Sequence, residues 1–150
     1  MKKTLCAGLF LLAGFAHAGI TSHWVTAFQQ GSLVYNVEAK NGVLMSFNCD
    51  YNHSEVPDRE LFIDMPGKPG WIDSTSNKLE LKIGEDTYPI GLLGSNAGDS
   101  WWFGFWRDAV DTDQKNVTLS IDGADVATFT LKGAKKLYES SDASGCIRNS

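Results

Sequence analysis

The chain has 150 residues and a formal net charge of −5 at pH 7, and hydrophobic residues make up 43% of it. This length suits one domain with its own hydrophobic core. Nucleic acids and anionic membrane surfaces select basic patches, so the acidic composition argues against both as partners.

Residues 1–18 have the pattern of a secretory signal peptide. Lys2 and Lys3 precede an apolar stretch at residues 5–15, and Ala16-His17-Ala18 offers the small-x-small sequence that signal peptidase cleaves. The apolar stretch is shorter than the roughly 20 residues of a transmembrane helix. We therefore predict cleavage after Ala18, which removes both lysines and changes the net charge from −5 to −7. The signal predicts a periplasmic or secreted protein of a Gram-negative bacterium, with no membrane span after cleavage.

The rest of the chain, residues 19–150, is predicted to form a single β-rich domain. Apolar and polar residues alternate over residues 23–29 and 32–39, as they do in half-buried strands. Asn41-Gly42 predicts a two-residue type I′ hairpin turn into residues 43–49, where Cys49 shares the inward face with Phe47. Further strands are predicted at residues 60–65, 78–83, 87–92, 100–107, 117–121 and 126–131.

Residues 134–143 are the only segment predicted to be helical. This helix is short, so tertiary packing must stabilise it. Nine strands with tight turns at regular spacing predict a mainly β fold. The expected architecture is an antiparallel β-sandwich or barrel-like domain with a short C-terminal helix.

Cleavage after Ala18 also removes Cys6 and leaves Cys49 and Cys146. Two cysteines in an exported domain are most simply read as one disulfide. The alternative is a pair of buried free thiols. The chain has no C-x-x-C spacing, which argues against a catalytic thiol.

Residues 99–108 form the most unusual stretch, because aromatic side chains dominate it. In a strand, successive side chains point to opposite faces. One face would carry Trp101, Phe103 and Phe105, and the other Trp102, Gly104 and Trp106. The second face could be an exposed platform that stacks on a sugar or binds a protein, with Trp101 and Arg107 beside it. It could equally be buried beneath the terminal helix.

Residues that would support catalysis or metal binding are sparse. His23 and His53 are the histidines of the mature chain, and no zinc spacing, nucleophile elbow or phosphate loop appears. Asp108, Asp111 and Asp113 lie close in sequence but lack the pattern of a calcium-binding hand, so they indicate a solvated turn or adventitious calcium. We predict no catalytic residue, no metal site and no cofactor, with a hydrolase as the minor alternative.

A spaced set of residues comprises Trp24-Val25, the segment at residues 42–49 that ends in Cys49, the segment at residues 129–134 and a late Cys146. This set resembles small exported Gram-negative proteins of the type VI secretion-associated periplasmic kind. The resemblance implies a β-sandwich-like domain, a disulfide between the two cysteines, and a role through protein or cell-wall contacts. Periplasmic immunity proteins and lysozyme inhibitors share this general build.

These observations favour a non-catalytic module that recognises or inhibits another protein, such as a toxin, a wall hydrolase or a secretion component. The acidic charge suits a basic partner, and Trp102, Trp106 and Arg107 are the predicted anchors. The alternative is a glycan- or peptidoglycan-binding module that uses the tryptophans as a platform. An edge strand could also pair two copies into a homodimer.

Overall fold

A computed structural model describes residues 23–51, 57–140 and 144–149 of the chain. Their strands form two antiparallel sheets. The first sheet has the order β1-β2-β3-β4-β5, and the second has the order β7-β6-β8-β9. The strands are β1 (Val25–Gln29), β2 (Ser32–Glu38), β3 (Leu44–Asp50), β4 (Asp58–Asp64), β5 (Ile72–Asp73), β6 (Leu79–Ile83), β7 (Asp86–Ile90), β8 (Asn116–Ile121) and β9 (Ala124–Thr130). The predicted signal peptide at residues 1–18 lies outside the described residues.

Strict alternation of buried and exposed side chains produces the sandwich. In the first sheet Tyr35, Phe47 and Leu61 are direct cross-strand partners, and all three are buried. In the second sheet Leu81 and Leu119 pair in the same way. The inward rows of both sheets belong to one hydrophobic core. The predicted mainly β, antiparallel sandwich is therefore confirmed, and the described strands form two separate sheets and not a closed barrel.

The predicted hairpin between β2 and β3 is present, but its turn differs from the predicted type I′. The backbone N–H of Ala39 donates to the carbonyl oxygen of Val43 at 2.8 Å, which leaves a three-residue loop. Only Gly42 in this loop has a positive φ, of 82°, whereas a type I′ turn needs two such residues. The three-residue loop pairs Glu38 with Leu44, whereas a two-residue turn at Asn41-Gly42 would pair Ala39 with Leu44, so the register differs by one residue from the predicted one.

The prediction of a strand at residues 100–107 is wrong, because these residues lie inside helix α1 (Asn96–Asp111). The side chain of Ser95 accepts a hydrogen bond from the backbone N–H of Gly98 and caps the helix. The buried residues Trp102, Phe105 and Trp106 follow a helical spacing.

Helix α1 fills the space between the two sheets with aromatic side chains. The Trp102 ring lies 4.4 Å from that of Phe47, measured between centroids, and the Trp106 ring lies 6.3 Å from that of Tyr35. Phe105 contacts Tyr88 of β7 at a centroid distance of 5.7 Å. The helix therefore bridges the first sheet and the edge of the second.

The start of α1 is packed so closely that only glycine fits there. A Cβ atom at Gly98 would lie 2.1 Å from the carbonyl oxygen of Leu92. This approach holds the β7–α1 connection against the first turn of the helix.

A disulfide between Cys49 of β3 and Cys146 attaches the end of the chain to the first sheet, with a Cα–Cα distance of 5.7 Å. The predicted pairing is thus found, and both cysteines are fully buried. The predicted C-terminal helix is also present, as α2 (Ala134–Tyr138), although the described helix is shorter than residues 134–143. Neither helix in the described part of the chain has the length and apolar character needed to cross a membrane.

Candidate functional site

A groove of about 730 Å³ runs along the exposed side of α1 and is bounded on its other side by the C-terminal part of the chain. We call it the α1 groove. The residues that define it are Trp101, Gly104, Arg107, Tyr138 and Arg148. Its lining combines aromatic, cationic and small polar side chains, the latter including Asn96, Ser100 and Asn149.

The helical period brings Trp101, Gly104 and Arg107 onto the solvent side of α1. Trp101 is 47% exposed, which is unusual for a residue of this size. A Cβ atom at Gly104 would meet no atom within 4 Å, so this glycine leaves an open hollow between larger side chains. The hollow could accept a flat or protruding group of a ligand.

The opposite wall is built by Tyr138 of α2 and by Arg148. The Arg148 guanidinium lies 5.9 Å from the centroid of the Tyr138 ring, and its Nη1 donates to the Tyr138 carbonyl oxygen at 3.0 Å. Nη2 reaches the carbonyl oxygen of Ser140 at 3.4 Å. Arg148 follows Cys146 by two residues, so the disulfide fixes the segment that carries this wall.

Most charges around the groove are already paired. Arg107 donates to Asp108 through its Nε at 2.9 Å, and the Tyr88 hydroxyl donates to the same carboxylate at 2.8 Å. The hydrogen bond from Arg107 lowers the pKa of the Asp108 carboxyl. Burial raises the pKa of the Tyr88 phenol, and the bond to Asp108 raises it further. Tyr88 is therefore a neutral hydrogen-bond donor near pH 7. Recognition of a ligand in the groove would depend on shape and hydrogen bonding more than on net charge.

Asp99, which lines the groove, forms an ion pair with the buried Arg59. Nη2 of Arg59 donates to Oδ2 of Asp99 at 2.6 Å, and only 5% of the Arg59 side chain is exposed. Its guanidinium also lies 5.1 Å from the Phe103 ring centroid, and Nη1 donates to the Gly145 carbonyl oxygen at 3.1 Å. This pair joins β4, α1 and the C-terminal segment.

The structure places the predicted binding residues in two different environments. Trp101 and Arg107 both line the α1 groove. Trp102 and Trp106 are fully buried, so the predicted platform of Trp102, Gly104 and Trp106 does not form at the surface. In a helix the Gly104 side points away from these two tryptophans, whereas in a strand all three would share a face.

Of the aspartates considered for metal binding, Asp108 lines the groove, whereas Asp111 and Asp113 do not. His23 is not among the groove residues, and His53 lies outside the described part of the chain. Among the residues that the structure describes, no group of three or more His, Cys, Asp and Glu side chains is placed to hold a metal ion. Asp108 instead bonds to Arg107 and Tyr88.

Sequence reasoning missed Tyr138 and Arg148 as site residues. Tyr138 lies in the helix predicted at residues 134–143, and Arg148 lies in the short segment after Cys146. The disulfide is the sequence feature that points to them. A bridge to β3 brings the C-terminal segment, with Arg148, close to the first sheet and to the helix that packs on it.

A family model described as YfjT matches residues 22–138. The match covers all nine described strands and both described helices, and it ends before Cys146 and Arg148. Neither the curated proteins nor the solved structures contain a significant match. On the strength of the family model, the chain belongs to the YfjT family.

Proposed function

We propose that this protein is an exported, non-catalytic binding module that recognises another protein through the α1 groove. The predicted signal peptide supports a periplasmic or secreted location. The resemblance to type VI secretion-associated proteins adds a secretion component to the candidate partners, beside a toxin or a wall hydrolase that the module would inhibit.

The observation that carries the proposal is the set of side chains in the groove. Tryptophan, tyrosine and arginine are the residue types most enriched at the energetic centres of protein interfaces. Here Trp101, Tyr138, Arg107 and Arg148 surround the open hollow at Gly104. Arg148 is held by backbone carbonyls and Arg107 by Asp108, so a partner meets side chains that are already ordered.

The alternative partner is a glycan or a peptidoglycan fragment. It is supported by the exposed Trp101 beside the amide and hydroxyl groups of Asn96, Ser100 and Asn149. A flat aromatic ring with nearby hydrogen-bonding groups is a suitable surface for a sugar ring.

The test uses the immobilised domain of residues 19–150 and periplasmic and secreted extracts. We expect it to retain one protein at stoichiometric amounts, which is then purified for titration calorimetry. Trp101→Ala and Tyr138→Ala should each weaken its binding about 10- to 100-fold, as expected for residues at the centre of an interface.

The matched control is Phe28→Ala, because Phe28 is also an exposed aromatic residue, at 71%, but does not line the groove. It should leave the affinity unchanged. Binding that survives both groove substitutions would refute the groove as the interface. Retention of cell-wall oligosaccharides that depends on Trp101, without a protein partner, would establish the glycan alternative.

A further inference from the structure

The outward face of the first sheet is a second surface with a character of its own. Cross-strand pairing places acidic residues along it: Glu38, Asp50, Asp58, Glu60, Asp64 and Asp73. None of the outward positions of β2, β3 and β4 is a lysine or an arginine. Among the described residues, no ion pair involves Asp58, Glu60 or Asp64.

An exposed tryptophan and a half-buried phenylalanine lie together on this acidic face. Trp71 is 58% exposed, and its ring meets that of Phe62 edge to face at a centroid distance of 6.0 Å. The two rings form one side of a shallow hollow of about 520 Å³ whose floor includes Asn48 and Ser46. A large exposed tryptophan beside a hollow in a sheet face is typical of a binding surface.

One buried acceptor in this hollow is left without a partner among the described residues. Oδ1 of Asn48 is buried and has no hydrogen-bond partner among the described residues. The hydroxyl of Ser46 is used internally, because it donates to Oδ1 of Asn36 at 2.7 Å. A donor on a ligand would satisfy the Asn48 oxygen, and a positive charge would complement the carboxylates.

The arrangement of the carboxylates points in the same direction. Asp50 and Asp58 are direct cross-strand partners. Like charges placed opposite each other destabilise a sheet. This pairing adds to the negative charge along the face.

We propose that this face is a docking surface for an arginine- or lysine-rich segment of another protein. The carboxylates complement its charge, and Trp71 offers a ring face for a cation–π contact with a guanidinium or ammonium group. The surface is independent of the α1 groove. Tyr35 and Phe47 point inward to α1, so the outward residues of the same strands lie on the opposite side of the sheet.

The probe is a synthetic peptide of alternating arginine and serine, and its control is the same peptide with citrulline at each arginine. Binding to the domain of residues 19–150 is measured by fluorescence anisotropy at low and moderate salt. We expect the arginine peptide to bind and to weaken as salt rises, because surface charges are screened over about 10 Å at 0.1 M ionic strength. The citrulline peptide should not bind.

The decisive variants are Trp71→Ala and the pair Asp58→Asn/Glu60→Gln, each of which should weaken peptide binding about tenfold. The matched control is Glu85→Gln/Asp86→Asn, which removes the same charge from the exposed β6–β7 turn. It should leave binding within about twofold, a difference too small to mark an interface contact. Because Asp58 and Glu60 take part in no ion pair among the described residues, the Asp58→Asn/Glu60→Gln variant should unfold at the same or a higher urea concentration than the wild type.

An equal loss in the control pair would overturn the proposal, because net charge alone would then explain binding. A dimer in sedimentation that Trp71→Ala abolishes would assign the face to a second copy of the chain, and oligosaccharide binding lost with Trp71→Ala would assign it to a glycan. Trp101→Ala, in the groove, should not change peptide binding. Failure of the proposed function and failure of this inference are therefore distinguishable.

Discussion

Replacing Trp102 by phenylalanine tests the helical assignment of the aromatic stretch most directly. The Trp102 side chain is fully buried against Phe47. Its Nε1–H donates to the carbonyl oxygen of Cys146 at 2.9 Å. Phenylalanine keeps part of the ring contact but removes the donor and leaves a cavity beside the disulfide.

The expected loss can be worked from these contacts. A buried carbonyl that loses its partner costs about 1–3 kcal/mol. Removing part of a buried ring adds to this, since complete truncation of a buried tryptophan costs about 3–5 kcal/mol. We therefore expect Trp102→Phe to lower the free energy of unfolding by about 2–4 kcal/mol, a large part of the 5–15 kcal/mol typical of a domain.

The assay is urea denaturation followed by far-ultraviolet circular dichroism, which does not depend on tryptophan emission. The control is Trp101→Phe, because the neighbouring Trp101 is 47% exposed and its replacement should change stability by less than about 0.5 kcal/mol. Equal losses in both variants, or an unchanged stability in Trp102→Phe, would refute the packing of α1 described here.

Other predictions concern the disulfide and the charges of the groove. The Cys49→Ala/Cys146→Ala variant should lose about 4–5 kcal/mol of stability, because the bridge joins residues separated by 97 positions; thermal or urea unfolding measures this, and a loss below about 1 kcal/mol would contradict it. The pKa of Asp108 is lowered in the folded protein from 3.8, so its ion pair stabilises the fold above about pH 4 and this contribution disappears as the pH falls through the folded-state pKa. Asp108→Asn should remove this acid sensitivity, which is worth no more than about 1 kcal/mol for an exposed pair. Unfolding curves between about pH 2 and pH 7 would show the difference. An identical pH dependence of stability in both proteins would contradict the role given to the Asp108 ion pair.

Alternation of side chains was sufficient to predict most of the strands. Residues 78–83 were predicted as a strand, and β6 occupies Leu79–Ile83 with its leucines inward as expected. The inward position of Cys49 was also predicted and is confirmed. Strand β5 was missed, because its two residues are too few to show a period.

The aromatic stretch was misassigned because its two main residues fit either structure. Trp102 and Trp106 are four residues apart, which places them on one face of a strand and on one face of a helix alike. Phe105 distinguishes the two, since it joins them in the core only if the segment is helical. The aromatic composition favoured a strand, whereas the cap at Ser95 favours a helix.

Only part of the candidate site could be predicted, and the reason differs from that for the aromatic stretch. Trp101 and Arg107 lie on one helix and were both named from sequence. Tyr138 and Arg148 reach the groove through α2 and the disulfide, which are contacts between distant parts of the chain. No local pattern specifies such contacts, so the second wall required the structure.

The distribution of the tryptophans has a practical consequence. Trp24, Trp102 and Trp106 are buried, while Trp71 and Trp101 are the exposed ones. Each proposed surface therefore contains one intrinsic fluorophore that a neutral soluble quencher such as acrylamide can reach. In a Trp71→Phe variant the quenchable emission reports on the groove alone, and in a Trp101→Phe variant it reports on the acidic face alone. Occupancy of the two surfaces can thus be followed separately in one solution, without any attached dye.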